Sequence, residues 1–108
     1  AHHNKKLDSP SGTAKTLADT IENSCKEALK REYGRKGMHK REKNEIGIHS
    51  LRGGTITGEH SVLFCGNDEV IEIKHTALSK KIFAEGALKA AEFLKEKESG
   101  LYSMQDIF

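Results

Sequence analysis

The chain opens with Ala1-His2-His3-Asn4-Lys5-Lys6-Leu7-Asp8-Ser9-Pro10-Ser11-Gly12-Thr13-Ala14, and this stretch decides how the rest is organised. Asp8, Ser9 and Ser11 are each suited to cap a following helix. Pro10 suits the first helical position, because its φ is already helical and its missing N–H would have no partner there. The free N–H groups of a helix start bind anions, and the imidazole and ammonium groups upstream add positive charge and proton donors. The stretch therefore predicts a site for a small carboxylate or phosphate beside a residue that moves protons near neutral pH.

Two amphipathic helices are predicted, because apolar residues recur every three or four positions in two parts of the chain. The first covers residues 13–31 and is ended by Gly34, since glycine commonly follows a helix. Ser79 can cap the second helix, and Gly100 ends it. The main apolar stripe of the second helix consists of Phe83, Ala87, Ala90, Ala91 and Leu94. The apolar tail, residues 101–108, is expected to dock on another part of the protein.

Three strands are predicted between the helices, at residues 46–52, 55–65 and 70–77. The Gly and Asn within residues 66–69 tolerate the positive φ of a tight turn. The polar residues 35–45 are expected to form a surface loop. The order of elements predicts an α+β fold, with an open, mainly antiparallel or mixed sheet and helices on one face. One face of the last strand is half polar, which is typical of an antiparallel sheet with one side facing water or another subunit.

Net charge, apolar runs and cysteine spacing reduce the number of functions to be considered. The net charge of +2 is too small to favour a nucleic-acid partner, and no apolar stretch approaches the ~20 residues of a membrane helix. Cys25 and Cys65 show no CxxC pattern, so a reduced, cytoplasmic protein is expected. The adjacent His2 and His3 point apart in a strand, and no acidic or Cys ligand lies at a suitable spacing, so no metal site is expected. The chain lacks an initiator Met, which predicts that it is a piece of a longer protein.

The opening stretch also carries a specific motif, His-His-x-x-Lys-x-Asp-x-Pro-Ser-Gly-Thr-Ala, from His2 to Ala14. This motif resembles the signature of the dihydrodipicolinate reductases. Later blocks resemble the same family in the same order; they are Ile46-Gly47-Ile48-His49-Ser50-Leu51-Arg52-Gly53-Gly54, Gly58-Glu59-His60, Glu72-Ile73-Lys74-His75, Phe83-Ala84-Glu85-Gly86-Ala87-Leu88 and Gly100-Leu101-Tyr102-Ser103-Met104-Gln105-Asp106. The resemblance covers essentially the whole chain. Members of the family use NADH or NADPH to convert 4-hydroxy-tetrahydrodipicolinate to tetrahydrodipicolinate on the diaminopimelate route to lysine.

The resemblance implies the C-terminal part of a larger enzyme. Residues 1–78 would form a substrate-binding and tetramerisation domain of the glyceraldehyde-3-phosphate-dehydrogenase-like C-terminal type, whose sheet assembles a homotetramer. Residues 79–108 would supply the final helix and tail, near the hinge to an N-terminal Rossmann domain. That domain would hold the NADH or NADPH, and no Gly-x-Gly-x-x-Gly loop occurs in the present chain. The isolated chain is therefore expected to be catalytically inactive.

The resemblance also implies roles for five residues. His2 matches the catalytic acid, which protonates the ring carbon next to the one that receives hydride. Lys6 matches the second catalytic residue, which binds substrate and assists proton transfer, and His3 matches a substrate contact. Gly12 and Thr13 match the helix-start residues that hold a substrate carboxylate. The implied partner is a small dicarboxylate, with no metal, nucleic acid or membrane involved.

Two other functions are open alternatives. One is a stand-alone oligomerisation or anion-binding module without chemistry. The other is a nucleic-acid binder that uses the basic residues of 35–43. Outside the motif, His49, His60 and His75 lie in predicted strands, where a structural role is the commoner one for histidine.

Overall fold

The computed structural model describes all residues from 1 to 108 and shows an α+β chain, as predicted. In chain order the elements are α1 (Gly12–Ser24), β1 (Lys30–Tyr33), β2 (Glu45–Ile48), β3 (Gly58–Cys65), β4 (Val70–Ala77), α2 (Lys81–Leu94) and a 3-10 turn (Met104–Asp106). The chain divides into two compact units, Ala1–Thr76 and Ala77–Phe108. Neither α1 nor α2 is long and apolar enough to cross a bilayer.

Helix α1 begins where the capping residues predicted it. Ser11 is the N-cap, and its Oγ accepts a hydrogen bond from the Ala14 N–H at 3.3 Å. Pro10 therefore precedes the cap, and its expected place as the first helical residue is wrong. The helix ends at Ser24, well before the predicted end at Arg31, because the next residue turns to an extended conformation.

The predicted helix was too long because residues 30–33 form a strand. Strand β1 pairs in parallel with β2, in a register that runs from Lys30 opposite Glu45 to Tyr33 opposite Ile48. Arg31 joins β1 to α1, with Nε 2.6 Å from Glu22 Oε1 and Nη2 2.5 Å from Glu22 Oε2. The pairing partner lies more than ten residues further along the chain, so the local apolar spacing carried no sign of it.

The predicted loop between these strands is present and closes around a buried carboxylate. Only 7% of Glu45 is exposed, and its Oε1 lies 2.7 Å from Nη1 of Arg35. The guanidinium of Arg41 donates to the Glu45 carbonyl. Two arginines of the basic segment are therefore committed to folding the loop.

Strands β3 and β4 form the hairpin that the turn residues predicted. They pair with each other and are joined by only four residues, so they run antiparallel. The Gly66 N–H donates to the Glu69 carbonyl at 3.0 Å and closes the turn. At the other end, Glu59 contacts Lys74 at 3.1 Å and Thr76 at 3.2 Å. The prediction of three strands in one open sheet is wrong in this respect, since the chain has four strands in two two-stranded sheets.

The first residues of the chain lie between the start of β3 and residues 51–54. Ala1 and Glu59 exchange two backbone hydrogen bonds, of 2.7 and 2.9 Å. On the other side, the His2 N–H donates to the Leu51 carbonyl at 3.0 Å, and the Gly53 N–H donates to the His2 carbonyl at 2.9 Å. The backbone of His2 is thus held in the manner of a strand, although only a single bridge, to Arg52, is formed.

The core is small. The buried apolar residues are Ala18 in the first unit and Ala77 in the second, and the buried polar residues are Ser11 and Glu45. Within the first unit, a cleft of about 1320 Å³ separates the apolar faces of α1, β2 and β3. The apolar side chains that line it include Leu17, Ala18, Ile21, Ile46, Ile48 and Val62.

The second unit holds α2 and the tail. Ser79 Oγ accepts from the Lys81 N–H at 3.2 Å, which places the predicted hydroxyl at the helix start, although Lys80 is the N-cap residue. The helix ends at Leu94 and not near Gly100. Its apolar stripe has no buried member.

The tail contacts helix α2 through an aromatic ring. The Tyr102 ring packs edge-on against Phe93, with centroids 5.9 Å apart. Ser103 and Asp106 form a reciprocal capping box around the 3-10 turn. Docking of the tail within this chain is thus seen for Tyr102. Leu101 and Phe108 are exposed here, and their docking on a part of the protein outside this chain stays a prediction.

Candidate functional site

A histidine pair marks the point where the N-terminal segment, β3 and the start of α1 meet. The rings of His2 and His60 are in edge-to-face contact, with centroids 5.0 Å apart and an angle of 67° between their planes. His60 Nε2 lies 3.0 Å from Ser11 Oγ. Because Ser11 also caps α1, one hydroxyl ties the helix start to the strand that carries His60.

The backbone of Gly58 lies close to the His2 ring. A Cβ built on Gly58 would lie 3.4 Å from His2 Nε2. An alanine Cβ would just be in van der Waals contact with the ring, and a larger side chain would have to turn away from the ring or displace it. Glycine at the first residue of β3 allows the close approach of backbone to imidazole.

Lys6 stands beside this pair. Its N–H donates to the His3 carbonyl at 3.2 Å, which turns the chain after the histidines. Its Nζ forms an ion pair of 2.7 Å with Asp8 Oδ1. The hydrogen bond from Lys6 lowers the pKa of the Asp8 carboxyl below its ordinary value. The Lys6 charge also helps to lower the pKa of both His2 and His60, so it acts on the histidine pair.

Arg52 anchors the turn that carries Lys6 and Asp8. Its guanidinium donates to the carbonyl of Asp8 and, at 2.9 Å, to that of Leu51. The Nε atom of Arg52 is buried without a hydrogen-bond partner. The Arg52 side chain thus joins residues 51–54 to the opening motif.

The site has a positive electrostatic character. Burial lowers the pKa of His2 below its ordinary value, and the positive charges of His60, the terminal amine, Lys6 and Arg52 lower it further. The Nδ1 atom of His2 is buried with no partner. Such surroundings disfavour a protonated imidazole until a negative charge arrives.

The start of α1 keeps free donors. Ser11 Oγ accepts from Ala14, and the Ser11 carbonyl accepts from Lys15 at 3.1 Å. The N–H groups of Gly12 and Thr13 donate to no group of the chain, and both residues are exposed. Two N–H donors and the positive end of the helix dipole are therefore available to an anion.

The structure brings together most of the residues that the motif singled out. His2, Lys6 and the residues flanking Ser11 lie in one region around the histidine pair. His3 is half-buried, and the structure gives its side chain no hydrogen-bond partner. The Thr13 hydroxyl also makes no hydrogen bond within the chain.

Two residues of the site were not predicted from the sequence. His60 was interpreted as a structural strand histidine, yet it contacts both Ser11 and His2. Arg52 lies in a block that resembles the family, and the sequence alone assigns it no role. Gly58, two residues before His60, was the available signal, since glycine at a strand start often marks a close approach.

Two common ligand motifs do not occur in the chain. No three His, Cys, Asp or Glu side chains come together in a cluster that could hold a metal ion. The parallel pair β1–β2 is joined by a polar loop rather than a helix, and no Gly-rich phosphate loop follows a strand. The donors of this site suit a small anion.

The comparisons with known proteins agree on one family. The family model "Dihydrodipicolinate reductase, C-terminus" matches residues 1–108. The 4-hydroxy-tetrahydrodipicolinate reductase of Clostridium novyi is 58% identical over 106 residues, which is 98% of this chain and 42% of that protein. The enzyme of the same name from Clostridium tetani is 61% identical over 103 residues, covering 95% of this chain and 40% of that protein.

A solved structure shows the same fold. It is a dipicolinate-bound dihydrodipicolinate reductase from Paenisporosarcina sp. TG-14, with a TM-score of 0.72 and 24% identity. The match covers 99% of this chain and 42% of that one. This chain thus spans less than half the length of the relatives it matches. The chain belongs to the dihydrodipicolinate reductase family and corresponds to the C-terminal part of its members.

Proposed function

We propose that this chain is the substrate-binding and catalytic half of a cytoplasmic, NAD(P)H-dependent 4-hydroxy-tetrahydrodipicolinate reductase on the diaminopimelate route to lysine. The observation that carries the proposal is the convergence of His2 and Lys6 with the two free N–H groups at the start of α1. The names of the relatives support the reaction, and the family match over the whole chain supports the assignment of this half.

The substrate is a cyclic dicarboxylate. One carboxylate would accept hydrogen bonds from the N–H groups of Gly12 and Thr13 and from the Thr13 hydroxyl. These three donors make no hydrogen bond within the chain. The other would be bound by Lys6, with His3 beside it. Lys6 would leave Asp8 to make this contact, and a partly exposed ion pair of this kind contributes little to stability. The dipicolinate named for the solved relative has two carboxylates on one ring, which suits such a two-point site.

His2 supplies the proton. In the ligand-free chain its pKa is lowered by burial and by the cations around it. Two substrate carboxylates would offset the fields of Lys6 and Arg52 and so raise the pKa of His2. Substrate binding would thus protonate the acid that the reaction needs. The nicotinamide cofactor supplies hydride when it is bound, and we place its site outside this chain.

The same proposal assigns residues 1–78 to substrate binding and tetramer formation, and residues 79–108 to the region near a hinge. The exposed apolar side chains on the β4 strand support a subunit interface. Val70, Ile71 and Ile73 are all well exposed in the single chain. A partner sheet would bury them.

A chimera tests the proposed function. This chain would replace the matching C-terminal part of the Clostridium novyi reductase, and NADPH and NADH oxidation would be followed with 4-hydroxy-tetrahydrodipicolinate. The isolated chain is expected to be inactive, and the chimera active. A folded chimera that binds dipicolinate without any oxidation of either nucleotide would favour a binding module instead.

Variants of the chimera separate the two roles. His2→Gln is expected to lower kcat by roughly 10²–10⁴ while dipicolinate affinity is retained, because general acids typically contribute that factor. Lys6→Met is expected to raise both KM and the dipicolinate dissociation constant. Lys5→Met is the matched control, since Lys5 is the exposed neighbour of Lys6 and should change neither quantity. Equal losses for both lysine variants would contradict a specific role for Lys6.

A further inference from the structure

We infer that His60 is a positioning residue for His2, anchored by Ser11, which fixes the His2 ring and sets the pH range in which that ring carries a proton. The inference rests on the proposed role of His2 as the acid. His60 itself is given no contact with substrate.

The anchor is well defined. Ser11 is 5% exposed, and its Oγ already accepts the Ala14 N–H. A hydroxyl has one hydrogen and two lone pairs, so Ser11 can still donate to His60 Nε2 or accept from it across the 3.0 Å contact. His60 can therefore keep this bond in either protonation state. The ring is held by the helix cap on one side and by the β3 backbone on the other.

The contact between the two rings extends this positioning from His60 to His2. The two rings meet edge to face at 5.0 Å, a geometry that aromatic rings prefer. His2 Nδ1 has no hydrogen-bond partner, so no polar contact of that atom fixes the orientation of the imidazole. The ring is instead positioned by the backbone bonds of His2, by the nearby backbone of Gly58 and by the contact with the His60 ring.

The pair also couples two titrations. Two protonated imidazoles at this distance repel each other, so the pair accepts one proton more easily than two. Burial lowers the pKa of His60, and the terminal amine of Ala1, His75 and Lys6 lower it further. His2 faces the terminal amine, Lys6 and Arg52 as well as His60. In a longer chain the Ala1 amine is a peptide nitrogen, and the other groups are unchanged.

The test uses His60→Gln and His60→Phe in the chimera. Glutamine keeps a hydrogen-bonding group towards Ser11 without a titratable ring, and phenylalanine keeps a ring without the bond. Both are expected to lower kcat by about tenfold, with KM within twofold, because a misplaced general acid loses part of its effect. Both should also move the alkaline limb of the kcat–pH profile to higher pH, because a like-charged neighbour of His2 has been removed.

Two further variants make the result specific. Ser11→Ala removes the anchor and keeps the His60 ring, so it should lower kcat without the upward shift of the limb. His49→Gln alters an exposed histidine just after β2 and should change neither quantity. Thermal unfolding of each variant separates loss of fold from loss of rate.

The outcomes are distinguishable. If both His60 variants lose rate with an unmoved pH limb, His60 is only structural and the inference is overturned. If His2→Gln is inactive while both His60 variants match the wild-type chimera, the inference fails and the proposed function stands. A chimera in which His2→Gln is fully active would overturn both.

Discussion

Replacing Ser11 by alanine should destabilise the first unit by a predictable amount. Ser11 Oγ makes two hydrogen bonds, one of 3.3 Å from the Ala14 N–H and one of 3.0 Å with His60 Nε2. Loss of an N-cap typically costs about 1 kcal/mol, and loss of a second, partly buried hydrogen bond about another 1 kcal/mol. The expected total is about 2 kcal/mol, which at a typical urea slope lowers the unfolding midpoint by about 1 M.

Urea unfolding of the chain, followed by far-UV circular dichroism, measures this change. Ser24→Ala is the matched control, because it removes the hydroxyl at the other end of α1, which bonds to the Thr20 carbonyl at 2.7 Å and is exposed. That control should change the free energy of unfolding by less than about 0.5 kcal/mol. Ser11→Asn should restore the cap and recover about half of the loss. Equal midpoints for Ser11→Ala and Ser24→Ala would refute the reasoning.

Two further predictions concern charged pairs. Asp8→Asn should strengthen dipicolinate binding at low salt, because the Asp8 carboxylate, 2.7 Å from Lys6 Nζ, competes with the ligand for that ammonium group. Added salt should reduce the gain in affinity. Weaker binding by titration calorimetry would show instead that Asp8 holds Lys6 in its binding position. Arg31→Met should lower the urea midpoint at neutral pH only. Hydrogen bonding to Arg31 lowers the pKa of Glu22, so this pair stabilises above the ordinary glutamate pKa and its contribution is lost as the pH falls through the lowered value. A destabilisation that persists in acid would argue for a packing role of Arg31.

The fold was predictable where local chemistry decides it. The start of α1 followed from its capping hydroxyl, and the β3–β4 turn followed from residues that accept positive φ, as Asp68 does at 59°. The end of α1 was not predictable in the same way. The apolar spacing continues past Ser24, and only the distant pairing of β1 with β2 and the contacts of Arg31 make residues 30–33 a strand.

The residues of the site likewise fall into those that a local motif predicts and those that depend on distant contacts. His2, Lys6 and the helix start lie within fourteen consecutive residues, so a linear motif can carry them. His60 lies 49 residues from Ser11 in the chain, and its contact depends on how β3 is placed. Alternation along a strand assigns His60 to a face, and it does not say which side chain that face meets.

The hydrogen bonds of the His2 backbone have a consequence for movement during a reaction cycle. His2 is bonded to residues 51–53 and adjoins the Ala1–Glu59 pair, whereas Lys6 sits on an exposed turn that Arg52 secures by its side chain. His2, the proposed proton donor, is therefore the fixed point of the site, and Lys6 is the residue able to adjust to a ligand. If His2 is the acid, as proposed, a ligand in this site would meet an imidazole whose backbone stays in place while the Lys6 side chain rearranges around it.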